Sequence, residues 1–122
     1  MNKRLLFLAF LFGLIIFSCN KDEEIKRLLN SNKPTEIIEG TCEAGESDNK
    51  DYVPLLLHDA GNPNASTALR WKGYTVYEEK MYALQKILNV KPPHLVTPST
   101  SYPDSVNIKF YNNLWQKMAK SK

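Results

Sequence analysis

The chain has 122 residues and a formal net charge of +3, with 43% hydrophobic and 24% charged residues. That is room for one small core and not two. Charge alone would permit a nucleic-acid partner, but no recognised nucleic-acid motif is present and no such partner is expected, and two cysteines, Cys19 and Cys42, allow at most one disulfide.

Lys3 and Arg4 precede an almost unbroken apolar run, Leu5 to Phe17. As a helix that run would rise ~20 Å against a ~30 Å hydrocarbon core, so it suits a cleaved secretory signal better than a membrane span. Ile16-Phe17-Ser18-Cys19 follows, with an aliphatic residue three before the cysteine and a small one immediately before it. These residues resemble the lipobox of bacterial lipoproteins, although Phe17 is bulkier than is usual at its position. The resemblance implies that residues 1–18 are a signal peptide and that Cys19 accepts a diacylglycerol thioether and an N-acyl chain after cleavage. No other cofactor is expected. At ~0.8 kcal/mol per buried methylene, two or three acyl chains would anchor the chain firmly to a membrane.

Lys21, Asp22, Glu23 and Glu24 stand directly behind that cysteine. A lysine followed by acidic residues at this place resembles the lipoprotein export signal of the Bacteroidota, which implies the outer leaflet of the outer membrane and exposure at the cell surface. An anchor facing the periplasm is the alternative.

Charge is unevenly distributed: Asp22 to Asp59 holds ten acidic against four basic side chains, and Ala60 to Lys122 three against nine. Glu23 to Asn30 reads as two helical turns with Ile25, Leu28 and Leu29 on one side. Ser31 to Asp51 is polar, carries Pro34, Gly40 and Gly45, and reads with the rest of 19–50 as a flexible acidic tether. Cys42 is there a spare thiol whose thiolate Glu39, Glu43 and Glu46 discourage. Glu43, Glu46, Asp48 and Asp51 are oxygen ligands in type, but their order breaks the EF-hand pattern, so no metal site is expected.

Residues 51–122 read as a small all-α domain. Val53 to Gly61 suggests a short helix, with Pro54 near its start and Gly61 at its end; a buried strand is the competing reading. Ala65 to Lys72 looks helical and stops at Gly73. Thr75 and Glu78 match a capping box opening a helix from Val76 to Asn89, with Tyr77, Met81, Leu84 and Leu88 on its apolar stripe. Pro92, Pro93, Pro98 and Pro103 keep the next segment extended. Asp104 then caps a last helix, Ser105 to Lys120, with Val106, Phe110, Leu114 and Met118 in an i, i+4 row, and Tyr111 and Trp115 alongside. The two longer helices are expected to pack together.

No catalytic constellation emerges. Adjacent helical residues point ~100° apart, so Asp59 is poorly placed to orient His58, and His94 is the only other histidine. Arg70, Trp71, Lys72 and Tyr74 make the best candidate contact surface, since exposed aromatics flanked by cations suit sugar rings or a protein partner. Asp104-Ser105-Val106 resembles the short O-glycosylation motif of exported Bacteroidota proteins, which would make Ser105 the acceptor. The expectation is thus a membrane-anchored envelope lipoprotein, not an enzyme, acting as a protein- or glycan-binding accessory module. An immunity-type lipoprotein, a small envelope hydrolase and a structural spacer are the alternatives. The hydrolase alternative requires His58 and His94 to converge with an acid.

Overall fold

A computed structural model describes residues 20–97 and 102–121; the expected signal peptide, residues 1–18, and Cys19 lie outside them. The protein is a small all-α domain with five helices and, among the described residues, no strand. None of these helices is long and apolar enough to cross a membrane.

Helix α1, described over residues 20–29, buries Ile25, Leu28 and Leu29. Its outer face carries the ion pairs Asp22–Lys26 at 3.1 Å and Glu24–Arg27 at 3.7 Å, the i, i+4 and i, i+3 spacings that support an exposed helical face. After a short turn, α2 runs Pro34–Ser47 and ends on Asp48 in the left-handed conformation at φ 54°.

Helix α2 overturns the expectation of a flexible tether at 31–50. Pro34 sits in its first turn, where proline is preorganised for a helix start. Ile37, Ile38, Thr41, Ala44 and Gly45 are buried at helical spacing. Small residues replace the large apolar stripe that sequence reading looks for. A Cβ on Gly40 would stand 2.7 Å from Leu28 Cβ, and one on Gly45 would stand 3.3 Å from Ala83 Cα. Helix interiors disfavour glycine by ~1 kcal/mol against alanine, and here close helix approach on both sides offsets that preference. The acidic and basic halves of the chain are therefore parts of one folded unit, not a tether and its cargo.

A 3-10 turn at Lys50–Tyr52, opened by the Asn49 side chain accepting from Asp51 N–H at 2.9 Å, leads into the five-residue helix α3, Val53–Leu57. The next segment departs from expectation too. Residues 65–75 form no α-helix but a folded-back turn, closed by bridges between Ala65 and Thr75 and between Ser66 and Lys72. A single 3-10 turn, Leu69–Trp71, lies at its tip. Gly73 at φ 86° makes the return, a conformation glycine adopts without steric penalty.

Helix α4, Val76–Leu88, is the centre of the domain. It buries Val76, Tyr77, Met81, Leu84, Ile87 and Leu88, and also Glu78, Lys80 and Ala83, so it is enclosed on nearly every side. Its main neighbour is α2, not the last helix. Thr75 caps α4 by accepting the Glu78 N–H at 3.1 Å. The return half of the capping box is missing, because both Glu78 carboxylate oxygens are buried without a hydrogen-bond partner. Asn89 ends the helix at φ 55°.

Helix α5, Ser105–Lys120, starts as expected at Asp104, whose carboxylate accepts from the N–H groups of Val106 and Asn107. Its buried line is Asn107 and Tyr111, flanked by half-buried Ile108, Phe110, Leu114, Trp115 and Met118; Val106 is exposed. The inward face is thus turned by one residue from the expected row.

The seat of α1 on α2 gives the first prediction. Gly40→Ala raises intrinsic helix propensity, so in a tether it would be neutral or stabilising. Against Leu28 it must instead lower stability by ~1–3 kcal/mol, measured by chemical denaturation beside wild type.

Candidate functional site

The four residues singled out as a contact surface do gather on one turn. Arg70 and Lys72 are exposed, and Trp71 and Tyr74 are half-buried. The Trp71 ring packs against Ile37, Ile38 and Val76, and the Arg70 guanidinium lies over it, 4.8 Å from the ring centroid. One indole face is therefore already covered by a cation–π contact. Leu69, beside them, is 93% exposed. What the turn offers outward is a leucine with two cations, rather than a bare aromatic platform. Ser66 fixes this turn to the start of α2 through a 2.8 Å hydrogen bond to the Thr35 hydroxyl.

The acidic residues behind Cys19 fall on α1. Lys21, Glu23 and Glu24 are exposed, whereas Asp22 accepts a 2.5 Å hydrogen bond from the Tyr52 hydroxyl. That bond, then the Lys26 ion pair, hold the Asp22 carboxyl below its usual range. Burial and Asp22 push Tyr52 up to about 12.

Cys42 is a free thiol half-buried on α2, with its Sγ 3.9 Å from Glu46 Oε1. Its pKa is raised first by burial and then by Glu46 and Glu79, so the direction expected from the carboxylates holds, but burial leads and Glu46 acts with Glu79 rather than with Glu39 and Glu43. Glu43 and Glu46 lie on α2, Asp48 ends it, and Asp51 falls in the next turn. Among the described residues no group of three His, Cys, Asp or Glu side chains is arranged to hold a metal. Ser105 is exposed in the first turn of α5, but Asp104 before it is occupied with capping.

The histidines do not converge in one site. His58 is exposed and is engaged through its backbone, its N–H donating to the Pro54 carbonyl at 3.1 Å and its carbonyl accepting from Lys80 Nζ at 2.5 Å. His94 Nδ1 meets Asp104 Oδ2 at 2.6 Å, beside a groove whose lining does not include His58.

That groove is a well-defined concavity among the described residues, and sequence reading missed it. It has a volume of about 670 Å³ and lies between the C-terminal end of α4 and the irregular segment 90–96. Three side chains pin that segment. Tyr111 donates to the Val90 carbonyl at 2.8 Å and Tyr82 donates to the Val96 carbonyl at 3.1 Å. Fully buried Asn107 accepts the His94 N–H at 2.9 Å and donates to the His94 carbonyl at 3.0 Å and to Tyr77 Oη at 3.1 Å. An asparagine one helical turn before Tyr111, on an otherwise apolar face, was the available signal: a polar group at a core position must find partners.

Comparison with protein families, curated proteins and solved structures finds no match.

Two predictions arise from the buried polar groups. Asn107→Ala leaves the His94 backbone and Tyr77 without their partner, which should lower stability by ~2–4 kcal/mol. It should also speed amide exchange across 90–96, while Asn113→Ala on the exposed side changes neither. Burial lowers the Lys80 pKa to about 8, against the opposing effect of Asp59. Between pH 8 and the ordinary lysine value the unfolded chain binds more protons, so stability rises with pH, by roughly 3 kcal/mol at most. Above pH 10 the raised pKa values of Tyr52 and Tyr111 reverse the trend, since the folded state then keeps protons that the unfolded chain loses. Denaturation midpoints from pH 7 to 11 should peak between these limits, and Lys80→Met should flatten the rising limb.

Proposed function

We propose that the chain is a bacterial lipoprotein precursor, cut before Cys19 and anchored in the outer membrane by lipids on that cysteine. The mature domain serves there as a small accessory module that binds an envelope protein or glycan. The observation that carries the anchor is the sequence Ile16-Phe17-Ser18-Cys19 behind an apolar run too short to span a bilayer. Lys21, Glu23 and Glu24, exposed on α1, support export to the cell surface as an accessible signal.

The fold gives this reading a polarity. The Asp22 end of α1 packs by Tyr52, beyond the C-terminus of α2, while Thr35 at the start of α2 holds Ser66. Ser66, which begins the turn carrying Leu69, Arg70 and Lys72, is therefore held at the opposite end of α2 from the Asp22–Tyr52 contact, which suits presentation outward to a partner. The hydrolase alternative draws no support from histidines that belong to separate places, and nothing specific favours the immunity or spacer readings.

Metabolic labelling with palmitate tests the anchor. The wild-type chain should take up label and fractionate with membranes, and Cys19→Ala should do neither. An unlabelled wild-type chain still carrying residues 1–18 overturns the reading. Surface display is checked by protease shaving of intact cells with Lys21, Glu23 and Glu24 changed to alanine together. Asp22 is left in place because it also holds Tyr52, and the triple variant should become protected from protease.

A further inference from the structure

We propose that the groove between the end of α4 and segment 90–96 binds a small ring-bearing oxyanion, a uronic acid or a sugar phosphate. This rests neither on the lipid anchor nor on the 65–75 turn. Lys86, Lys91 and His94 line the groove together with Tyr82, Asn89 and Leu95, and no acidic side chain is among its lining residues. Neither lysine makes an ion pair among the described residues. The charge balance is therefore uneven. A helix C-terminus supplies the equivalent of only about half a negative charge, against two full lysine charges. Of the acids nearby, Asp104 is spent on His94 and on two backbone N–H groups of α5, and Glu46 and Glu79 line a second, smaller pocket that Lys86 and Tyr82 share. Lys91 thus lines the concavity with no acidic side chain beside it among the lining residues, and Lys86 joins it from a position it shares with Glu46 and Glu79; at about 670 Å³ the concavity is within the usual size of small-molecule sites.

The wall is also rigid. An irregular segment held by Tyr82, Tyr111 and Asn107 keeps Lys91 and His94 in place before any ligand arrives, which reduces the ordering penalty on binding. Asp104 at His94 Nδ1 leaves Nε2 as the ring nitrogen available to a ligand. Tyr82 spends its hydroxyl on Val96 and so contributes mainly its ring. Leu95, 84% exposed, adds apolar surface at the rim. Cations, an amide and an aromatic wall together suit a ring that carries one acidic group.

The test uses the full chain, isotope-labelled and purified in detergent, titrated with glucuronate, glucose 6-phosphate and neutral glucose. Amide resonances from 85 to 96 should shift with the two acids and not with glucose, and more weakly at high salt. The tighter acid identifies the anionic group. Lys86→Gln and Lys91→Gln, both at exposed positions, should each weaken binding about tenfold, while Lys72→Gln on the distant turn leaves it unchanged. An equal response to glucose, binding indifferent to both groove lysines, or no response to either acid at concentrations on the order of 10 mM would overturn the proposal.

Discussion

The enclosure of α4 is the constraint on which the rest of the structure depends. A helix surrounded by packing partners would ordinarily be apolar all round. This one instead buries Glu78 without a hydrogen-bond partner and Lys80 with a single carbonyl acceptor. Burial raises the Glu78 carboxyl above its usual range as it lowers Lys80, so both groups are pushed toward their neutral forms. The neighbours must be close enough to repay this desolvation, which accounts for the small residues of α2 opposite α4 and for Ala83 facing Gly45. Close approach of α2 thus adds to a core of large side chains such as Leu56, Met81, Leu84 and Tyr111.

A second layer of order is polar. Buried Tyr52, Tyr111 and Asn107 and half-buried Tyr82 each reach a group far along the chain: Asp22, Val90, His94 and Val96. Each is worth only ~1 kcal/mol net as a hydrogen bond, but leaving a buried partner unmade costs more. These bonds therefore act mainly on specificity. They decide where α1 begins to pack and what shape segment 90–96 takes, which the apolar core alone would leave open.

Legibility followed the range of the cause. The cap of α4 by Thr75 and that of α5 by Asp104 were readable because a cap and its target lie within three residues. The tyrosine and asparagine contacts span 13 to 30 residues, and no local pattern encodes them. Helix α2 was unreadable for a different reason. Its buried face is built partly from Gly40, Thr41 and Gly45, which score as loop formers by propensity and become favourable only when another helix sits against them. Residues 65–75 failed in the opposite direction: Ala65 to Lys72 has helical composition, but the bridges to Thr75 and Lys72 turn the chain back on itself. The groove lysines were visible as charges but not as neighbours.

The helical state of the chain from residue 20 onward sets how far the domain can roam. A disordered leader of about 30 residues would let it sample a radius of ~30 Å around its point of attachment. A chain that is already helical at residue 20 leaves no such leader between the domain and Cys19. If the lipid sits where we propose, the protein does not fish for partners on a line. It stands as a fixed stud on the bilayer, and whatever it engages must already be arranged at the height of a single small domain.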